Sequence, residues 1–277
     1  MKRIILILLV LLAAWPVVAL EKFLVCTGSS LELPAVREAA YGFDFLITGP
    51  YGYSKVRADT LLASKCIIYT SLMDFARYES REHDIQPSPQ AMGHERMPLN
   101  WNADYGSFAY DLTDHWWPEC YARSLEVFML EEPAAGVLLD NLWPEHPWWS
   151  EMDPSHYARS HPDSLPRILK GMEVRLAAKA KELGKIVLLN GEALTDHPWP
   201  RRYWESFGWR GTWNTLGIWK RAQRGDFIYC STGSAGDRWF VKIVGSMKHC
   251  PVGIGLPDGE RLVDEAGELR IPRAEEF

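Results

Sequence analysis

The chain has 277 residues, 47% of them hydrophobic, enough for one large barrel or two small domains and too apolar for a disordered chain. Its formal net charge is -6 with no basic stripe, which argues against a nucleic-acid surface. The 13 Trp and 11 Tyr often adjoin Pro, His, Asp or Asn, a setting that suits stacking against the C–H face of a sugar as well as core filling.

The N-terminus reads as an export signal. Lys2 and Arg3 precede an apolar run, Ile4 to Ala14, that is short for a membrane span, and Val17 to Ala19 supply small residues at a cleavage site. Residues 1–19 are therefore expected to be removed and residues 20–277 to form the mature domain, secreted or periplasmic, with no stable membrane association. An uncleaved anchor is the alternative. An oxidising compartment leaves room for one disulfide among Cys26, Cys66, Cys120, Cys230 and Cys250, but no pair has CxxC spacing. Buried free thiols are the simpler expectation, and a zinc knuckle is unsupported.

Lys22 to Gly28 is a short apolar strand ended by Gly and Ser. Glu32 to Gly42 follows as a helix, and Phe43 to Tyr53 as a strand closing on Gly-Pro and tyrosines. Arg57 to Ser64 is a brief helix, and Lys65 to Ser71 a third strand. Residues 74–106 read as a long polar loop carrying Pro87, Pro89 and Pro98. Ser107 to Asp114 is extended before a helix from Trp116 to Leu130. A strand ends on Asp140, and an apolar stripe at helical spacing then runs from an N-cap at Ser164 to a glycine stop at Gly184. Strands at 185–190, 202–207 and 226–231, a helix through residues 237–249 and a strand at 250–255 complete the core. The residues after Gly255 read as a small C-terminal β-hairpin.

The eight strand candidates are 22–28, 43–48, 65–70, 135–140, 185–190, 202–207, 226–231 and 250–255. All are short and apolar, and helices or long connections separate them, which is the mark of a parallel sheet covered on both faces. Eight such units over about 250 residues predict a single (β/α)8 TIM barrel. A doubly wound open sheet is disfavoured because no GxGxxG follows the first strand.

Catalytic groups of such barrels lie at the C-terminal ends of the strands. Those ends here offer Tyr51, Tyr69, Asp140 with Asn141, Asn190 with Glu192, and Glu205. Asp140 is a polar stop on an apolar strand, followed by Trp143 and a Trp/Pro run fit to wall a barrel mouth.

"AAGVLLDNLW", "CIIYTS", "FAYDLTDHWWPECYARSL", "IVLLNGE" and "RRYWESFGW" together resemble the motifs of TIM-barrel glycoside hydrolases related to endo-α-1,4-polygalactosaminidases, over roughly residues 40–232. Ala135 departs from that pattern, which has Asp before the glycine. The resemblance implies Asp140 as nucleophile or base and Glu205 as acid, matching the two carboxyl groups that glycoside cleavage requires. Tyr51, Tyr69, Asp111, Asn141, Trp143, Asn190, Glu192 and Trp209 are the candidate substrate contacts.

Each candidate has a structural alternative. Asp140 caps a loop, Glu205 pairs with Arg201, Arg202 or Arg210, and Asp111 starts a helix. Glu192 is either the second carboxylate or a cap. His146, His156 and His161 match no metal-ligand spacing, so no metal or cofactor is expected. Ser231 to Arg238 could cradle a phosphate but lacks the Gly-Lys-Ser/Thr of a P-loop. The expectation is thus an exported glycoside hydrolase acting on a poly- or oligosaccharide. A barrel that binds carbohydrate without catalysis and a phosphate-ligand barrel enzyme are the alternatives. Composition leaves the oligomeric state open.

Overall fold

A computed structural model describes residues 20–26, 30–71, 74–76, 101–102, 107–109, 116–140, 164–190, 201–206, 222–230, 235–255, 271 and 274. The predicted signal segment and nearly all of the predicted C-terminal hairpin lie outside the described residues.

Eight parallel strands close into a barrel: β1 (Lys22–Cys26), β2 (Phe45–Thr48), β3 (Cys66–Ser71), β7 (Gly136–Asp140), β8 (Ile186–Asn190), β9 (Arg201–Ser206), β10 (Phe227–Cys230) and β11 (Val252–Gly255). Each pairs with its chain neighbours, and β11 returns to β1 with Lys22 opposite Val252. All eight coincide, within a few residues at their ends, with the strands expected from sequence. Helices α1 (Pro34–Ala40), α2 (Pro50–Val56), α3 (Thr60–Ala63), α4 (Trp116–Glu131), α5 (Ser164–Leu183) and α6 (Ala235–Lys248) fill the connections. Among the described residues no helix is long and apolar enough to cross a membrane.

Strand alternation sorts the apolar side chains into two layers. Phe23, Ile47, Ile67, Leu138, Leu188, Phe227 and Tyr229 fill the barrel interior. Leu24, Leu46, Ile68, Val137, Leu139, Val187 and Leu189 face outward into the core beneath the helices. Phe227 anchors the interior, with the rings of Phe23 and Phe45 centred 5.0 and 5.4 Å away. β11 contributes glycine to this face because its neighbours need the space: a Cβ on Gly253 would lie 2.1 Å from the Phe23 ring. Gly136 opens β7 for a similar reason, since a Cβ there would meet the Ile186 carbonyl oxygen at 1.9 Å.

Local rules explain the helix ends. Pro occupies the first turn of both α1 and α2, where its missing N–H is no loss. The Asp59 side chain accepts from Leu62 N at 3.1 Å and caps α3. Gly184, at φ 66°, ends α5 in the left-handed conformation that favours glycine. α4 and α5 are clasped by Arg175. Its Nε and Nη2 each lie 2.7 Å from a Glu126 carboxylate oxygen, and Nη1 lies 2.6 Å from Glu119, so these carboxylates hold the guanidinium pKa up.

Two sequence expectations need correction. Tyr51 to Tyr53 do not extend the second strand; they belong to α2, which begins directly after Gly49. Pro50 signalled a break and is instead a helix start. The stretch expected to be loop at 74–106 contains two strands, β4 (Asp74–Ala76) and β5 (Trp101–Asn102). Both pair antiparallel with β6 (Ser107–Ala109) in a separate sheet of order β4-β6-β5. This sheet sits in the connection after β3 and so belongs to the end of the barrel where β3 stops.

Candidate active site at the barrel mouth

Asp140 is the last residue of β7 and is half-buried at the end of four buried residues. Two neighbouring strands meet its carboxylate. Tyr69, from β3, donates its hydroxyl to Oδ2. Asn190, the last residue of β8, donates Nδ2 to Oδ1 at 2.7 Å. Both partners are donors, as an ionised carboxylate requires, since it can only accept. Three residues singled out from sequence are therefore one cluster. Behind it, the buried hydroxyls of Thr70 and Tyr121 bond to each other and tie β3 to α4.

The position of Glu205 follows from barrel geometry. Val25, near the end of β1, is aligned by register with Ile47, Ile67, Gly136 and Ile186, and the last two are the first residues of their strands. The register thus slides toward the strand starts around the barrel. A level ring must climb about one residue per strand to offset it, the consequence of eight strands with a shear of eight. Leu139 pairs with Leu189, so Asp140 falls opposite Asn190, which pairs with Tyr203. Climbing about two residues over two strands leads from Tyr203 to Glu205.

Asp140 and Glu205 therefore occupy one level of the barrel. They come from its fourth and sixth strands, and alternate strands supply the members of each interior layer. Glu205 is in register with Tyr229 of the following strand. The Glu205 side chain itself lies outside what is described. Strand spacing and tilt put the two Cα atoms roughly 10 Å apart.

The same construction gives the rest of the mouth. The eighth-strand corner of the carboxylate level is Gly255, reached from Glu205 through Tyr229 and Gly253. The second-strand corner falls just past Thr48, at Gly49. One step below lie Val25, Tyr69, Asn190 and Tyr229. Two carboxylate positions and two glycines thus sit above two tyrosines, an asparagine and a valine. The Tyr229 hydroxyl fills the Gly255 corner, and Tyr69 and Asn190 support Asp140 from beneath.

Tyr51 belongs to a different cluster. Its hydroxyl donates to Glu32, the Lys55 Nζ lies 4.3 Å from its ring centre, and Lys55 pairs with Glu32 at 2.9 Å. These contacts hold the Glu32 pKa down, the Tyr51 hydrogen bond first and the Lys55 bond second. Asp111, Asn141, Trp143, Glu192 and Trp209 lie outside the described residues, as do His146, His156, His161 and the start of the candidate phosphate loop, Ser231 to Ser234.

Tyr229, an interior residue near the mouth, was not among the sequence candidates. "FIYC" places it as "CIIY" places Tyr69, at the C-terminal end of an apolar strand, and that parallel was the available signal.

No protein-family model and no curated protein sequence matches the chain. Among solved structures it is similar to a β-N-acetylhexosaminidase from Bacteroides fragilis, with 11% identity over 76% of this chain and 51% of that one and a TM-score of 0.46. The chain thus spans about half the length of that protein. It is also similar to the GH20 catalytic modules of a pneumococcal exo-β-D-N-acetylglucosaminidase, with 10% identity over 90% and 80% and a TM-score of 0.45. A third is the 3-keto-D-glucoside 4-epimerase of E. coli, with 10% identity over 91% and 94% and a TM-score of 0.42.

Proposed function

We propose that the chain is a glycoside hydrolase working at the C-terminal mouth of its barrel, with Asp140 as nucleophile or base and Glu205 as general acid. The observation that supports this reading is the strand register, which brings positions 140 and 205 to a shared level with one strand between them, at the end where barrel enzymes do chemistry. In the reaction, Glu205 gives its proton to the glycosidic oxygen while the bond to the anomeric carbon breaks. Asp140 either attacks that carbon or takes a proton from the water that does. Tyr69 and Asn190 hold the Asp140 carboxylate with both oxygens engaged, which fixes it before substrate arrives.

The substrate class we propose is an amino-sugar polymer, first an α-1,4-linked galactosaminan, as the sequence resemblance implies. The formal charge of -6 is consistent with it, because a polymer of free amino sugars is a polycation and an acidic protein attracts it at low salt.

The experiment is reducing-end release from α-1,4-galactosaminan and other amino-sugar polymers, measured beside binding. Asp140→Asn and Glu205→Gln are each expected to lose at least about 100-fold in turnover, the scale of one acid–base group, while still binding polymer. Binding without release in the unaltered chain would make this a carbohydrate-binding barrel and end the hydrolase reading.

A further inference from the structure

β11 ends at the mouth with Gly255, yet Ala274 lies at the opposite pole, where β1 and β2 start. A Cβ built on Gly42, in the turn before β2, would lie 3.4 Å from the Ala274 Cβ. The Lys22 Nζ, at the start of β1, donates to the Ala274 carbonyl at 2.6 Å. Ala274 is buried in the apolar layer that includes Val36, Ala40 and Phe43, and Ile271 packs against the same layer. The chain beyond β11 therefore returns from the mouth to the far pole and docks there.

Four segments meet at Lys22. It is in register with Val252 of β11. Its N–H donates to the Asp44 carboxylate at 2.7 Å, and its carbonyl accepts the Asp44 N–H at 2.8 Å. Its ammonium holds the Ala274 carbonyl. The β1–β11 pair is the seam of the barrel, because it joins the first strand to the last and closes the longest loop. The docked residues come from the β11 side of this seam and fasten to the starts of β1 and β2 on the other.

We propose that the segment at 271–274 is a strap that locks the seam, and that its release opens the starts of β1 and β2 while the rest of the barrel stays folded. Its grip is a buried methyl group, a half-buried isoleucine and a hydrogen bond from an ammonium group. Together these are worth less than the stability of a whole domain, so the strap lets go before the barrel unfolds. The proposal is independent of the hydrolase reading.

Hydrogen exchange of the full chain tests it amide by amide. The Asp44 N–H, bonded to the Lys22 carbonyl, and the Val252 N–H, bonded to the Glu21 carbonyl at 3.0 Å, report on the strapped pole. The Ala135 N–H, bonded to the Cys66 carbonyl at 2.7 Å, and the Ile186 N–H, bonded to the Ala135 carbonyl at 2.9 Å, report on the starts of β7 and β8. Ala274→Glu puts a charge where a methyl group is buried, and should speed exchange at Asp44 and Val252 about 10-fold or more. Exchange at Ala135 and Ile186 should not change. Equal acceleration at all four amides, or none at Asp44 and Val252, overturns the strap. Should Ala274→Glu fail to fold, Lys22→Met decides, since it keeps the apolar stem and removes only the donor. The same local pattern is then expected at about 10-fold or more, the scale of one hydrogen bond from a charged group, and the same two results overturn it.

Discussion

One hydrogen atom on Tyr69 is the finest handle on the site. Tyr69→Phe keeps the ring that packs in the barrel interior and deletes the donor to Asp140. A hydrogen bond to a charged group is worth about 1.5–3 kcal/mol, so turnover should fall about 10- to 100-fold with little change in Tm. An equal loss of Tm and activity would instead make Tyr69 a packing residue. The thiols give a second residue-scale expectation. Cys26, Cys66 and Cys250 are free and buried. Burial raises all three, most of all Cys26, and pushes Cys66 and Cys250 up to about 12. The thiolate is the reactive form, so iodoacetamide at neutral pH should leave these three unlabelled in the folded chain and label them after denaturation. Rapid labelling of any of them without denaturant would contradict their burial. Asp140 and Asn190 were legible in the sequence because each ends an apolar strand with a polar side chain, and Tyr69 because it begins the polar tail of β3. Tyr229 was not, because whether a strand-end tyrosine reaches the mouth depends on the tilt of the barrel and on a glycine of the adjacent strand. Tyr51 was misread because Pro50 looks the same at the end of a strand as at the start of a helix.

Elements were legible where their burial is uniform. Most of the barrel strands read as apolar runs whatever their neighbours, because both faces of a barrel strand are covered; β9, Arg201–Ser206, is the polar exception in sequence. The strands of the small sheet, Asp74–Ala76, Trp101–Asn102 and Ser107–Ala109, are too short to show alternation and lie among prolines and polar residues. Only Ser107–Ala109 was read as extended from sequence; nothing local separates the other two from loop. β7 and β8 approach closely where Gly136 meets the Ile186 backbone. A backbone carbonyl yields less than a side chain, so Gly136→Ala should lower stability by about 1–3 kcal/mol, the usual range for overpacking. Chemical denaturation measures it, and a neutral result would mean that the two strands are further apart at their starts. The loss should also reach the site, since β7 carries Asp140 and β8 carries Asn190.

At the scale of the molecule, closure of the barrel is what turns a list of strand-end residues into a site. Asp140 and Glu205 are far apart in the chain, and no local pattern links them. They share a level only because eight strands close with a shear that lifts the ring about one residue per strand. The sequence alone supplied the strand count and both carboxylates. Their common level needed the register, which short apolar runs do not encode by themselves. The most direct test is the separation of the Asp140 and Glu205 carboxyl groups in a crystal structure of the chain. The account predicts that both point into the mouth, about 5–5.5 Å apart for a retaining enzyme or about 6.5–9.5 Å for an inverting one. A Glu205 carboxyl turned out of the barrel toward an arginine, or a separation well beyond that range, would contradict it.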